Sequence, residues 1–219
     1  MSARIETARH QMVTQQVRAW EVLDPAVLEV LSRVPRERFV PAQYAALAFA
    51  DTAIPLPEGQ RMLTPQVEGR LLQALQIAPS DRILEIGTGS GFLTACLARL
   101  GAAVTSLEIR SQLAESARAR LEELGVVNCT ILAQDAFSWQ PAGQFDCIAV
   151  GGSVPVPETM FQEWLAPGGR LFVVVGEPPV MEAWLIRRAT SGPGFGRESL
   201  FETVLPPLDN ARQPERFVF

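Results

Sequence analysis

Apolar positions in the first fifty residues recur with a helical period. Met12, Val13, Val17 and Trp20 form one stripe. It stops at Leu23-Asp24-Pro25, where Asp24 is placed to cap a second helix and Pro25 to open it. Val27, Leu28, Leu31 and Val34 give that helix its apolar side, and a short third helix is expected over 42–47. Residues 48–63 read as a Pro/Gly-containing loop. Thr64-Pro65 again reads as cap plus first position, here of a helix that turns Val67, Leu71, Leu72 and Leu75 inward. Within the loop, Met62 and Leu63 are apolar where a solvated segment would be polar.

From Asp81 the period changes, and short apolar runs alternate with helical patterns. "RILEIG", "AVTSLEI", "CTILAQD", "FDCIAVGG" and "RLFVVVG" are predicted strands. "GFLTACLARLG", "SQLAESARARLEELG" and "PETMFQEWLAPGG" are predicted helices. Unbroken apolar strands alternating with helices imply a parallel sheet covered on both faces. "MEAWLIRRAT", "SGPGFG" and "RESLFETVL" then read as a hairpin, so antiparallel strands finish the sheet. The expected fold is α/β and doubly wound, with a mostly parallel seven-stranded sheet. A C-terminal antiparallel hairpin ends it and an N-terminal helical extension precedes it. A single domain is expected over 1–219: extension 1–78, core 79–205, and an irregular tail 206–219.

Composition narrows the chemistry. A formal charge of −5 argues against a nucleic-acid partner, which usually meets a basic face. All 19 basic residues are Arg, which excludes Schiff-base chemistry and any lysine base. Three cysteines and one histidine without ligand spacing argue against a metal site; Cys96, Cys129 and Cys147 are expected to be buried free thiols. No apolar run approaches the roughly 18 residues a membrane span needs, and no leader pattern opens the chain. The expectation is a cytoplasmic protein without membrane contact.

"LEIGTGSGF" carries the most chemistry. It ends the first parallel strand and opens the next helix, where open α/β sheets bind ligands. Gly87, Gly89 and Gly91 let the backbone turn tightly and approach a ligand, and the helix start offers free N–H groups. The spacing is G-x-G-x-G, whereas a dinucleotide fingerprint needs glycine at Phe92 and a phosphate loop needs lysine. Glu108 ends the second strand 21 residues after Gly87 and is placed to accept from two ribose hydroxyls, with Ile109 beside it. Asp135, followed by Ala136, ends the third strand and is placed to accept from an exocyclic amine such as that of adenine. Glu85 is placed to face an ammonium group. Glycines and acids without basic residues suit a cationic, phosphate-free nucleoside, S-adenosyl-L-methionine, with Thr88 in the same binding loop.

These residues resemble the first motif of class I S-adenosylmethionine-dependent methyltransferases, which implies a Rossmann-like methyltransferase fold. "VLEVLSRVPRERFVP", "FDCIAVGG" and "LAPGGRLFVVVG" make the chain similar, over roughly residues 10 to 176, to the protein-L-isoaspartate O-methyltransferase family. The resemblance implies methyl-ester formation on isoaspartyl residues of damaged proteins, a repair reaction. The family loop usually reads "GQTISQPYM", with a serine implied at the active site. "GQRMLTPQV" places Leu63 there and Thr64 one position later. The family's "TAA.P" segment is replaced by Gly151-Gly152-Ser153-Val154-Pro155, and "RFVPL" by "ETVLPPL". The acceptor is therefore expected to be a protein or peptide carboxylate, or else a small molecule; a cofactor-binding protein without catalysis is a further alternative.

A carboxylate acceptor is already ionised at neutral pH and needs no general base. That matches a chain with one histidine, His10, in an N-terminal helix. Thr64 is the candidate catalytic hydroxyl, in competition with its role as helix cap. Met62 and Leu63 are expected to cover the methyl donor, Leu63 as a cofactor-binding residue.

Overall fold

A computed structural model describes residues 3–215. The last four residues of the predicted tail lie outside these. Helix α1 (Ala3–Gln11) runs into a wider π-helical stretch, Met12–Val17, and a 3-10 turn, Arg18–Trp20. Glu21, in the left-handed region at φ 62°, ends it. Helix α2 (Pro25–Arg33) starts as expected: the Asp24 carboxylate accepts from the Ala26 N–H at 2.8 Å. Residues 42–47 form 3-10 turns. Helix α3 (Pro65–Leu75) follows Thr64, whose hydroxyl oxygen accepts from the Val67 N–H at 3.4 Å.

The core alternates β1 (Arg82–Ile86), α4 (Phe92–Leu100), β2 (Ala103–Glu108), α5 (Ser111–Glu123), β3 (Cys129–Ala133) and β4 (Phe145–Val154). Then come α6 (Thr159–Glu163), β5 (Leu165–Glu177), β6 (Val180–Arg188) and β7 (Phe195–Glu202). Sheet order is β3-β2-β1-β4-β5-β6-β7, parallel through β5, with β6 antiparallel to both neighbours. This is the expected seven-stranded sheet with its hairpin end. One boundary differs. The helix expected over "PETMFQEWLAPGG" stops at Glu163, and strand pairing begins at Leu165, opposite Phe145. Pro167 has no N–H to give a helix, and Gly168 sits at φ 78°. The Trp164 carbonyl instead accepts from the Phe145 N–H at 2.9 Å.

Side chains alternate across the strands, so each face has its own core. Ile83, Cys147, Ala149 and Phe172 join α2, α3, α4, α5 and the extension in one continuous cluster that also holds Met12 and Leu205. Leu84, Ile86, Ile148 and Val173 pack on the other face against Phe161, Trp164 and Trp139. Cys96 and Cys147 are buried and Cys129 half-buried, all free. Burial raises each thiol above its ordinary range, so they behave as inert packing groups.

Candidate active site

Strand order reverses between β2, β1 and β4, which opens a crevice beyond their carboxyl ends. A cavity of about 660 Å³ occupies it. Leu63, Thr64, Gly87, Gly89, Glu108, Ile109, Asp135 and Ala136 all line this cavity. Residues up to about 240 Å apart along the extended chain are thus gathered by the sheet into one pocket of ligand size.

The glycine loop explains itself locally. Gly87, Gly89 and Gly91 have φ of 90°, 54° and 87°, a region costly for side-chain-bearing residues. The Glu108 carboxylate accepts from the Gly89 N–H at 2.8 Å and the Arg110 N–H at 3.1 Å. It therefore ties the glycine loop to the end of β2 and keeps lone pairs for further donors. Asp135 accepts from the Phe137 N–H at 2.9 Å through one oxygen. Its other oxygen accepts from the Asn210 amide at 2.9 Å.

Three candidates lie elsewhere. Glu85 is fully buried, and its Oε2 accepts from the Thr94 and Ser106 hydroxyls at 2.5 and 2.6 Å. It faces the β-sheet interior and does not reach the cavity, so an ammonium group has no direct contact with it there. Burial raises its carboxyl to about 8; the two hydroxyls pull it down and Glu108 and Glu68 push it up. Thr88 points the same way. Because Ser106 spends its hydrogen on Glu85, Thr88 must be the donor in their 2.5 Å contact. Gly91 lets α4 approach α5: a Cβ there would stand 3.1 Å from the Ala117 Cβ.

The loop before α3 is a tight hairpin. The Met62 N–H donates to the Ile54 carbonyl and the Leu56 N–H to the Gln60 carbonyl, each at 2.8 Å. Met62 is 4% and Leu63 9% exposed, a burial that contributes roughly 2 kcal/mol per side chain. Arg36, from the "VPRERF" segment, holds this loop in place. Fully buried, it pairs with Glu68 of α3 and donates to the Leu63 carbonyl at 2.8 Å. Its guanidinium lies 4.7 Å from the centre of the Phe92 ring, at the start of α4. One side chain thus links the extension, the loop and the glycine-loop helix. Burial raises the Glu68 carboxyl to about 7, against the pull of Arg36.

The two expected roles of Thr64 prove compatible. Capping uses an oxygen lone pair and leaves the hydroxyl hydrogen to donate into the cavity. His10 is exposed in α1.

Several further residues line the cavity, most of them in the segments that depart from the family pattern. Leu205 to Asp209 form one wall, although the tail read only as irregular. Trp20, 39% exposed, lines the cavity beside Thr203 and Val204. Gly151 and Gly152 end the apolar β4 run because side chains there would collide: a Cβ on Gly151 would lie 2.9 Å from the Gly87 carbonyl, and one on Gly152 2.9 Å from Leu208.

The mostly parallel sheet, the glycine loop and acidic residues at consecutive strand ends define a Rossmann-like methyltransferase. The family model of protein-L-isoaspartate(D-aspartate) O-methyltransferase matches residues 7–193, and the chain belongs to that family. A protein-L-isoaspartate O-methyltransferase of Koribacter versatilis is 38% identical over 182 residues, 82% of each chain. One from Pelobacter propionicus is 35% identical over 208 residues, covering 94% of this chain and 92% of its own. A Plasmodium falciparum structure of the same kind, in complex with S-adenosyl-L-homocysteine, superposes with a TM-score of 0.79. It covers 92% of this chain and 98% of its own at 20% identity, a likeness of fold.

Proposed function

We propose that the chain transfers a methyl group from S-adenosyl-L-methionine to the side-chain carboxylate of L-isoaspartyl residues in proteins. The observation that carries this reading is that Leu63 and Thr64 share one cavity with Gly89, Glu108 and Asp135. When bound, the cofactor supplies an electrophilic methyl on a sulfonium.

The residues present fit such a ligand. Glu108 retains acceptor capacity for hydroxyls, Asp135 faces the same cavity, and the glycine backbone leaves room for close approach. Both carboxylates are favourable neighbours for a cation. Met62 and Leu63 exclude water from the transfer, which depends on aligning two reactants in a dry site. The Thr64 hydroxyl donates to the acceptor carboxyl and orients it. The nucleophile is ionised at neutral pH, so no side chain has to remove a proton.

The division into extension 1–78, core 79–205 and tail 206–219 within one methyltransferase domain is supported by the shared cluster from Met12 to Leu205. No helix among the described residues is long and apolar enough to cross a membrane. With the charge of −5, this supports a cytoplasmic protein acting on protein substrates without nucleic acid.

The deciding test is methyl incorporation from labelled cofactor into an isoaspartyl peptide and its normal aspartyl counterpart. Incorporation into the first alone is expected. Cofactor binding with no methylation of either would leave a binding protein or an enzyme for another acceptor.

A further inference from the structure

We infer that Arg61 is the cationic anchor for the acceptor's carboxylate. This rests on the reading of the cavity as the place of methyl transfer to an isoaspartyl residue. Six charged residues line the cavity: the acids Asp51, Glu108, Asp135 and Asp209, and the cations Arg61 and Arg110. An anionic acceptor entering such a site is repelled unless a side-chain cation is free to receive it. Arg110 is already engaged. It pairs with Asp209 at 2.8 Å and with Glu58 at 3.4 Å. In the amide orientation that satisfies both groups, the Gln60 oxygen accepts from Arg110 Nη2 at 2.8 Å and Nε at 3.1 Å. The exposed Arg61 side chain has no carboxylate, carbonyl or ring partner among the described residues. Of the two cavity cations, it is the one with charge to spare.

The backbone fixes where this charge sits. Arg61 bridges to Pro55 across the hairpin. The Gln60 carbonyl on one side of it and the Met62 N–H on the other are both bonded across the same hairpin. Two residues on, Arg36 holds the Leu63 carbonyl. The loop is therefore ordered before any ligand arrives, and only the Arg61 side chain has to settle. The sequence of the loop points the same way. Aligned without gaps, "GQTISQPYM" and "GQRMLTPQV" set Arg61 at the family threonine and Leu63 at the family serine. Two small hydroxyl donors are exchanged for an apolar side chain and a guanidinium. The guanidinium presents a planar fork of donors that matches the two oxygens of a carboxylate. The Thr64 hydroxyl gives that carboxylate one hydrogen bond; Arg61 adds the opposite charge.

The chemistry gives this contact a direction. A carboxylate oxygen bonds to the methyl carbon as the methyl–sulfur bond breaks and its electron pair returns to sulfur. Carboxylate and sulfonium lose their charges together, leaving a neutral ester and a thioether, and no proton moves. Arg61 therefore holds the anionic acceptor more tightly than the ester, so the contact that draws the substrate in lets the product go. Because the carboxylate's charge is already dispersing in the transition state, the anchor serves binding and not the chemical step.

The test uses the full chain, with an isoaspartyl peptide and saturating S-adenosyl-L-methionine for kinetics and S-adenosyl-L-homocysteine for calorimetry. Arg61→Thr is expected to raise KM for the peptide about tenfold, with kcat within about twofold and S-adenosyl-L-homocysteine affinity unchanged. Arg61→Lys, which keeps the charge and loses the fork, should fall between the two. Raising salt from about 50 to about 500 mM should raise KM in the unsubstituted chain and leave it nearly flat in Arg61→Thr. An unchanged KM in Arg61→Thr would overturn the anchor while leaving the functional reading intact. So would a fall in S-adenosyl-L-homocysteine affinity as large as the rise in KM, which would assign Arg61 to the donor's own carboxylate. An unsubstituted chain that methylates no isoaspartyl peptide would overturn the functional reading, and the anchor with it.

Discussion

Glu108 and Asp135 stand at the ends of neighbouring parallel strands, each beside a loop whose turns are written in local sequence. Leu63, Thr64 and Leu208 reach the same cavity on segments outside the sheet, held by Arg36, Ser153 and Arg110 from distant parts of the chain. The sheet-borne half is positioned by regular hydrogen-bond ladders, the other half by individual side chains. A half built on ladders suits a ligand common to many enzymes. A half built on single contacts can change its acceptor without disturbing the sheet, and two of the departures from the family pattern, Leu63 and "ETVLPPL", fall there.

This contrast can be broken at its strongest point first. Arg36→Ala leaves Glu68 buried without its partner and frees the Leu63 carbonyl. A stability loss of about 3–5 kcal/mol in denaturant titration is expected, with Arg36→Lys recovering part of it. A neutral outcome would mean that the non-sheet half does not depend on this side chain. The sheet-borne half is tested by Gly89→Trp. The residue lines the cavity at φ 54°, with Leu56 Cδ1 3.4 Å from where a Cβ would stand. Cofactor affinity should fall about 100-fold or more by calorimetry, worth about 2.7 kcal/mol.

Glu85 sharpens the comparison through pH. Its carboxyl is raised from 4.5 to about 8, so the folded chain binds that proton more tightly than the unfolded chain. The associated stability is complete below about pH 4.5 and is lost as pH rises through about 8; Glu68, raised to about 7, acts in the same direction. Thermal unfolding between pH 5 and pH 8 should show a decline of several kcal/mol. Glu85→Gln should make it shallower, leaving the part due to Glu68, and an equally steep decline in that variant would assign the effect elsewhere. The smallest expected change is at Leu63. Leu63→Asp should weaken cofactor binding about tenfold, or 1.4 kcal/mol, by setting a charge against the cavity; unchanged affinity would remove Leu63 from the cofactor's cover. Leu63→Ser, assayed on the isoaspartyl peptide, measures what the departure from the family serine costs the acceptor side.

The fold was legible because strands and helices announce themselves over short windows. The apolar runs from "RILEIG" to "RLFVVVG" and the caps at Asp24 and Thr64 depend on neighbours in sequence. The helix ahead of β5 was overestimated because the pairing of Leu165 with Phe145 is a long-range contact. Among the cavity-lining residues, Gly89, Glu108 and Asp135 were readable from their places at or just past strand ends. Glu85 was misplaced because the same strand has two faces, and the alternation that sends it inward becomes visible only with Thr94 and Ser106 around it.

Alone, the sequence determined the strand–helix alternation, the glycine turns and the acids at strand ends, since each follows from backbone sterics and periodicity within a few residues. Tertiary structure alone decided that the "VPRERF" arginine would anchor the Met62-Leu63 loop, that Glu85 would be walled off, and that the tail would lie across the cavity. Those outcomes depend on which charges and apolar surfaces meet after the sheet has formed, and contacts between residues 36 and 68, 110 and 209, or 135 and 210 leave no mark on local pattern.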